Sequence, residues 1–459
     1  MVPGMRGLIV AAVAAVVTSA GAVLVLTQPV DDTRKITGTV AAAPGLAWSA
    51  DATAGASARA EFRDPAAGTE FDDGGAGFVA AGDTLVTVVG ASDGDTSLRG
   101  PMMVGIAADT GAVRWRTPAE HLGGCGRTPV NGKLVCYPAF SDQPALIGYD
   151  IASGKVTRTP TNGRMIFALA TTDEGVYVAE GDVESDDVRV RAGTLEDPDA
   201  HWSRAFAMGT TWDDLPWDAL DVSHGQGLFT LGAQIAAFDL GTGEVTWTMD
   251  EQGCSRTTPI DGALVVRIAR ECSDRRDTAA DLVDRTGKVV ATTEHPVSQD
   301  LSIDRPADDT VPVLLADGAR DRRTGRLVWT SPDLLTEPNG NAPTGTAIAV
   351  LGEVAVLNDA AAHTMTGLNM RTGQRLWRIT TDRFHAAETW DGHVLVLSDV
   401  TGLWAIDPKS GATVWDIPFR AVRDDPEAFT GGGRLTSHGG GRYTYVGSHT
   451  MIGLRPLRH

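Results

Sequence analysis

The sequence contains few cysteines and few basic residues for its length. Four cysteines among 459 residues exclude a small disulfide-dense scaffold and a cysteine-rich metal protein. Lys and Arg number 39 against 59 Asp and Glu, a formal net charge of −20. Such a surface repels phosphate backbones, so we expect no nucleic-acid partner. Hydrophobic residues and glycine are abundant, at 42% of the chain and 53 residues respectively. The hydrophobic share is enough to bury a large core.

One long hydrophobic run differs from the rest of the chain. Residues 7–26 read GLIVAAVAAVVTSAGAVLVL without a charge, and a helix of that length spans about 30 Å of bilayer. Arg6 on the short leading side favours an inside N-terminus, which places the body outside the cytoplasm. We therefore predict a cytoplasmic tail at 1–6, a transmembrane signal anchor at 7–27 and a linker at 28–43. The alternative is a cleaved secretory signal, which would give a secreted protein.

A short cassette recurs along the body: Asp, two residues, Thr or Ser, Gly, three residues and Trp. Five copies keep the Gly-to-Trp spacing, namely Gly111/Trp115, Gly243/Trp247, Gly325/Trp329, Gly373/Trp377 and Gly411/Trp415. Two further copies, around Gly154 and Gly287, keep the turn and lose the Trp, and Trp202 marks an eighth. A repeat of roughly 40 residues is the size of one β-propeller blade.

Each cassette predicts a hairpin between two strands. The Asp side chain accepts backbone amides, and Gly supplies the positive φ that the turn requires. A second Gly turn lies upstream, as in PIDGALVVRI and TWDGHVLVLS, which completes a four-stranded antiparallel sheet. The repeated Trp then lies on the outermost strand, where we expect packing against the next blade rather than ligand stacking. No capped amphipathic helix of ten residues is predicted after residue 30.

The two ends of the body predict ring closure. Residues 44–48 look like the final strand of a cassette, whereas the C-terminal RYTYVGSHTMIGLRP looks like inner strands that lack one. Pairing them would remove exposed sheet edges. Eight cassettes and one sheet shared between the two chain ends would make nine blades. We nevertheless expect eight blades within residues 44–459, with one segment accessory, and keep seven or nine as alternatives.

The repeat resembles the PQQ-like (quinoprotein alcohol dehydrogenase-like) β-propeller repeat, and AIDPKSGATVW from Ala405 to Trp415 is its nearest copy. The resemblance implies an extracytoplasmic all-β propeller. The family includes quinone-dependent dehydrogenases and non-enzymatic members such as BamB-like assembly scaffolds and sensor propellers. Its dehydrogenases hold their cofactor with adjacent cysteines, a Trp platform and a calcium site. Adjacent cysteines and a matching catalytic stretch are missing here, so we expect the non-enzymatic branch, without cofactor or catalytic residues.

The four cysteines lie in two similar segments. GGCGRTPVNGKLVC and QGCSRTTPIDGALVVRIAREC both begin with Gly-Cys-x-Arg-Thr and contain a turn between their cysteines. This symmetry favours the local disulfides Cys125–Cys136 and Cys254–Cys272 among three possible connectivities, with free buried thiols as the alternative.

Other candidate sites are weaker. No two of the ten His have zinc-ligand spacing, so no metal site is expected. Trp212 and Trp217, in TTWDDLPWDAL, exceed what the repeat needs. They form a candidate recognition loop, although packing over a blade is the alternative.

These observations lead to two functional hypotheses. The first is a membrane-anchored, monomeric, non-enzymatic propeller that binds a protein, peptide or envelope glycan. The second is an exported quinone-dependent dehydrogenase or propeller hydrolase.

Overall fold

The computed structural model describes residues 33–457 apart from short gaps. The gaps are residues 55–56, 58, 71–73, 93–97, 120, 140, 162–163, 182–186, 209–218, 224, 232–233, 251–253, 261–263, 271–276, 294–300, 337–343, 384–385 and 430–432. The predicted anchor at 7–27 therefore lies outside the described residues. Within the described residues, no helix has the length and apolar character needed to cross a bilayer.

The described chain is built almost entirely of short strands. In chain order they are β1 (Gly45–Asp51), β2 (Ala60–Arg63), β3 (Val79–Ala81), β4 (Thr84–Ser92), β5 (Leu98–Ala107), β6 (Val113–Pro118), β7 (Leu122–Cys125), β8 (Lys133–Pro138), β9 (Ala145–Asp150), β10 (Val156–Pro160), β11 (Met165–Thr171), β12 (Val176–Gly181), β13 (Asp187–Gly193), β14 (Trp202–Ala207), β15 (Leu220–Ser223), β16 (Gln226–Leu231), β17 (Gln234–Asp239), β18 (Val245–Asp250), β19 (Cys254–Ile260), β20 (Leu264–Arg270), β21 (Asp277–Val283), β22 (Val289–Thr293), β23 (Ile303–Pro306), β24 (Val313–Leu315), β25 (Gly318–Arg320), β26 (Leu327–Thr330), β27 (Leu335–Thr336), β28 (Thr344–Gly345), β29 (Ala347–Gly352), β30 (Val354–Asp359), β31 (Thr364–Asn369), β32 (Arg375–Thr380), β33 (Ala386–Trp390), β34 (Leu395–Asp399), β35 (Gly402–Ile406), β36 (Thr413–Pro418), β37 (Arg434–Ser437), β38 (Tyr443–Val446) and β39 (Thr450–Arg455). Among the described residues, helical structure is limited to one α-helical turn, α1 (Phe419–Val422), and 3₁₀ turns at Pro65–Ala67, Pro332–Leu334 and Pro426–Phe429.

These strands form the blades of a β-propeller. Blade 1 contains β2–β6, blade 2 β7–β10, blade 3 β11–β14, blade 4 β15–β18, blade 5 β19–β22, blade 6 β24–β26, blade 7 β23 with β29–β32, blade 8 β33–β36, and blade 9 β37–β39 with β1. A two-stranded ribbon, β27–β28, lies between blades 6 and 7. The first strands of neighbouring blades contact one another, as β23 and β33 do. Since the blades of a propeller surround a central channel, we interpret these strands as the innermost ones and call them the channel wall.

The expectation of eight blades is wrong, because the described residues form nine. Every cassette builds its own sheet, and the closure sheet is a complete ninth blade, so no cassette segment is accessory. Blade 6 has only three strands. Strand β23, which precedes it, instead pairs in parallel with β29 of blade 7, with Ile303 opposite Ala349.

The cassette turn has the predicted geometry. In the blade 6 copy, Asp321 Oδ1 accepts the N–H of Thr324 at 2.8 Å and its hydroxyl at 2.8 Å. The N–H of Gly325 donates to the carbonyl of Asp321 at 2.9 Å, and Gly325 has φ 66°. The Asp and Gly of the cassette therefore shape one tight hairpin, as their side-chain chemistry predicts.

The cassette tryptophans pack between blades, which confirms the expectation from the sequence. The indole of Trp377 lies so close to Gly411 of the next blade that a Cβ there would overlap the ring. Its Nε1 donates to the carbonyl of Pro408 at 2.8 Å. The same donation to the next blade occurs at Trp48, Trp115, Trp202 and Trp329. Each of these five indoles thus joins two neighbouring blades through its buried contact area and one hydrogen bond.

The residue opposite each cassette Trp, on the strand next to the outermost one of its blade, is small. It is Gly at Trp48, Trp115 and Trp377, and Ala at Trp202, Trp247, Trp329 and Trp415. Blades 2 and 5 lack the Trp and have Arg158 and Ala291 there instead. In these blades the opposite residue is large, Ile147 and Leu282. In blade 5, where Ala291 is small and Leu282 is large, volume is therefore exchanged across the strand pair, as close packing requires.

The ring closes as predicted from the chain ends. Strand β1 pairs antiparallel with β39, with Gly45 opposite Arg455, and forms the outermost strand of blade 9. Within the stretch expected to be a linker, Ile36 and Ala43 are buried in the core of blades 8 and 9.

Candidate functional site

A large cavity in the described part of the propeller lies in the channel wall. It has a volume of about 630 Å³ and is lined by residues 302–305 on and before β23, residues 388–392 at β33, and residues 434–437 with Gly439 at β37. We call it the channel cavity. It spans blades 7, 8 and 9, so its lining comes from sequence segments that are far apart.

Alternation along the innermost strands explains why polar groups line this cavity. In β33, Ala387 is buried between blades whereas Glu388 and Trp390 are partly exposed. In β37, Leu435 is buried in the core of blades 8 and 9, while Arg434 is exposed. Successive side chains of a strand point alternately into the interblade core and toward the channel. The polar side chains of these strands therefore lie at the channel.

Glu388 is held by donors from two blades. Its carboxylate accepts the hydroxyl of Ser398 in its own blade, and its Oε2 accepts the N–H of Leu435 in blade 9 at 3.0 Å. Burial raises the pKa of Glu388 above the usual carboxyl value, against the opposing effect of those hydrogen bonds and of Arg434. The group therefore serves as an acceptor within the wall.

Asp391 is likewise occupied by protein donors. It accepts the hydroxyl of Tyr443 at 2.6 Å and the backbone N–H groups of His393 and Val394 at 2.9 and 2.8 Å. Burial alone would raise the pKa of Asp391, but these hydrogen bonds outweigh it and lower the pKa. Asp391 stays ionised and shapes the hairpin between β33 and β34.

Unlike the two carboxylates, the two arginines of the cavity have hydrogen-bonding groups that are not used within the described structure. Arg434 donates one bond through Nη1 to Asp64 of blade 1 at 3.1 Å. Asp64 is shared with Arg127 of blade 2 at 3.2 Å, so the three residues link blades 9, 1 and 2. Arg305 is exposed and has no ion pair or hydrogen bond within the described part of the chain. Free hydrogen-bond donors therefore remain in the cavity.

A smaller cavity of about 330 Å³ lies at the seam between blades 9 and 1. Its lining includes Asp83, which pairs with Arg114 at 2.7 Å, and Arg455, which donates to the carbonyl of Asp109. These charged groups are already used to hold the seam together, so we regard the channel cavity as the better candidate.

Of the predicted site residues, the structure brings Cys125 and Cys136 together in a disulfide. They face each other across β7 and β8 and are buried in the core that blades 1 and 2 share. Cys254 begins β19, whereas its predicted partner Cys272 lies outside the described residues, so that disulfide stays a prediction. The candidate recognition loop with Trp212 and Trp217 also lies outside the described residues.

Sequence reasoning missed the channel residues Arg305, Glu388 and Arg434. The segment ETWDGH indicated only a hairpin turn, and its charged residue was not interpreted. The available signal was a charged residue a few positions before a hairpin turn, within an otherwise apolar innermost strand. Only the ring topology shows that these charges meet.

The residues present do not fit the quinone and calcium site of the dehydrogenase branch. The disulfide we observe joins two strands inside a blade core rather than two adjacent residues. In the channel cavity, Glu388 and Asp391 are taken up by protein donors. Among the described residues, no three His, Cys, Asp or Glu side chains are grouped so as to hold a metal ion.

Comparisons with known proteins agree with the repeat. Residues 230–390 match the family model of the outer membrane protein assembly factor BamB. No curated protein matches the chain by sequence.

Three similar solved structures are distant from this chain. BamB from Moraxella catarrhalis is 16% identical, with 74% of this chain and 96% of that one covered and a TM-score of 0.37. A europium-containing methanol dehydrogenase is 12% identical, with 88% and 85% covered and a TM-score of 0.43. Saccharomyces cerevisiae Sqt1 is 8% identical, with 86% and 98% covered and a TM-score of 0.45. At these TM-scores the likenesses do not bear on function.

Proposed function

Since this chain is a PQQ-like β-propeller, we propose that it is a non-enzymatic binding module whose partner enters the channel cavity. The observation that carries the proposal is the state of the cavity's polar groups. The carboxylates that would serve as general acid or base are held by hydrogen bonds within the protein, whereas guanidinium donors remain open. Open donors without a reactive partner suit recognition rather than bond making.

We further propose that the propeller acts outside the cytoplasm, attached to the membrane by residues 7–27, and as a monomer. The buried Cys125–Cys136 disulfide supports an oxidising compartment, because such bonds are rare in the cytosol. Proteolysis of intact cells provides the test: an extracytoplasmic propeller is cleaved without permeabilisation, and a cytoplasmic one is protected.

Site-specific photocrosslinking in native membranes tests the binding role. A photoreactive residue at Ser437, in the cavity wall, is compared with one at Thr413, which is exposed on the outermost strand of blade 8. We expect discrete adducts from position 437 and none from 413. Equal labelling from both positions, or no adduct from either, would contradict the proposal.

The enzymatic alternative is tested separately with purified full-length protein. Pyrroloquinoline quinone and calcium are added, and the absorbance spectrum is recorded before and after dialysis. We expect no retained chromophore, because the cavity lacks the ligand set described above. A retained, redox-active chromophore would instead support a dehydrogenase.

A further inference from the structure

The hydrogen-bonding capacity of the channel cavity is unbalanced. Arg305 has no hydrogen bond or ion pair within the described residues, and Arg434 uses only Nη1, toward Asp64. A guanidinium carries five N–H donors. The cavity therefore presents a whole free guanidinium and most of a second one.

The carboxylates that line the cavity already have partners within the protein. Both oxygens of Glu388 accept protein donors, and both oxygens of Asp391 do the same. Asp304 lies 3.8 Å from the buried guanidinium of Arg322, with which it forms an ion pair. An incoming group therefore meets exposed arginine donors before it meets a free carboxylate, even though the chain as a whole carries −20.

The two arginines lie on opposite sides of one blade. Arg305 comes from β23 on the inner edge of blade 7 and Arg434 from β37 of blade 9, while β33 of blade 8 lies between them. Even strands spaced as closely as in a sheet would be about 10 Å apart over two steps. A ligand that carries acceptors at two separated points therefore suits arginines anchored on these two strands.

We propose that the channel cavity binds an acidic peptide segment of a protein partner, with two carboxylates that pair with Arg305 and Arg434. This inference rests on the proposed binding function and names its ligand. Arginine suits it because a guanidinium binds a carboxylate with two parallel hydrogen bonds. An extended segment repeats its side chains on one face about every 7 Å, which suits two anchors on separate strands.

Fluorescence anisotropy with the purified full-length chain provides the test. The probe is a labelled peptide of alternating Ser and Glu, and the matched control peptide has Gln in place of Glu. We expect saturable binding of the Glu peptide that weakens as salt is added, and at least tenfold weaker binding of the Gln peptide. Equal binding of the two peptides would overturn the proposal.

Two variants locate the site. Arg305→Gln breaks no bond within the described structure, and we expect it to weaken binding of the Glu peptide about tenfold or more, with partial recovery in Arg305→Lys. Arg204→Gln, an exposed arginine on the outermost strand of blade 3, is the matched control and should leave binding unchanged. An unchanged affinity in Arg305→Gln would overturn the assignment of the site.

Competition separates the possible ligands. Oligogalacturonate carries carboxylates on a glycan, and inorganic phosphate is a small anion. If either one displaces the Glu peptide at lower concentration than unlabelled peptide does, the peptide assignment is wrong. Crosslinking from position 437 without binding of the Glu peptide would remove this inference while the proposed function stands, whereas loss of the crosslinks would remove both.

Discussion

The chain runs directly from β1 of blade 9 into blade 1, just as it runs from blade 5 into blade 6, yet the joint between blades 9 and 1 is the more regular of the two. At the closure, Trp48 packs on Gly111 and donates to the carbonyl of Ala108 at 3.0 Å. Between blades 5 and 6, Val290 takes the place of the indole against Gly325. Chain connectivity therefore does not decide how well two blades are joined. The side chain at the interface does.

The two blades without a cassette Trp share a second property. Blade 2 carries Cys125 and Cys136, and Cys254 lies in blade 5, with the fourth cysteine, Cys272, close to it in sequence but outside the described residues. The cysteine pair thus occurs where the indole is lost. We interpret the disulfide in blade 2 as a covalent substitute for part of the packing that the other blades obtain from Trp.

The largest expected effect is at the closure. Trp48→Ala removes a buried indole and its hydrogen bond, and we expect a loss of about 3–5 kcal/mol in the free energy of unfolding. Trp247→Ala is the control, because its Nε1 has no hydrogen-bond partner within the described structure. It should lose about 1 kcal/mol less. Urea unfolding followed by Trp fluorescence measures both. A smaller loss for Trp48→Ala than for Val290→Ala would reverse the comparison.

Removal of the disulfide should have the next largest effect. The double variant Cys125→Ser/Cys136→Ser loses the constraint on the unfolded chain, at about 2–4 kcal/mol. Chemical denaturation of the variant is compared with that of the native protein, with and without reductant. If reductant leaves the native protein unchanged while the variant is destabilised, the loss comes from packing and the disulfide is not responsible.

The volume exchange in blade 5 predicts a smaller effect that depends on its partner. Ala291→Trp places an indole opposite Leu282, and the overpacking should cost about 1–3 kcal/mol. Leu282→Ala/Ala291→Trp restores the large and small pair of the other blades, so the double variant should be more stable than Ala291→Trp. A double-mutant cycle measures this coupling. If the effects of the two substitutions on stability are additive, the exchange of volume between positions 282 and 291 is contradicted.

The smallest effect concerns the polar joint between blades 8 and 9. Because burial raises the pKa of Glu388 in the folded state, the folded protein keeps this proton to higher pH than the unfolded chain does. The contribution of Glu388 to stability therefore falls as pH rises from the ordinary carboxyl pKa to the raised one. Glu388→Gln does not titrate, so its stability relative to the native protein should increase across that window. A difference independent of pH would contradict this assignment.

A feature of this fold can be predicted from the sequence when the residues that form it are close together in the chain. The Asp-x-x-Thr-Gly turn and its Trp act within one hairpin and the next blade, so the pattern around Gly325 or Gly411 predicts both. The blade number was missed because one of the nine units counted in the sequence was interpreted as accessory, whereas each of them forms a sheet. The parallel contact of β23 with β29 is a feature that no local pattern indicates. The channel cavity was missed for a related reason. Arg305 and Arg434 are far apart in sequence, and only the packing of blades 7, 8 and 9 side by side brings them to one cavity.

The pairing of β1 with β39 also sets a time order. Strand β1 is the first part of the ring to be synthesised, and its partner is the last. At 5–20 residues per second, roughly 20–80 s pass between them. Throughout that interval β1 has no partner strand, and the ring stays open at the position where blade 9 later forms. A chain that stops before residue 450 never acquires the partner of β1. The pair of β1 with β39 can thus form only after the last strand of the ring has been synthesised.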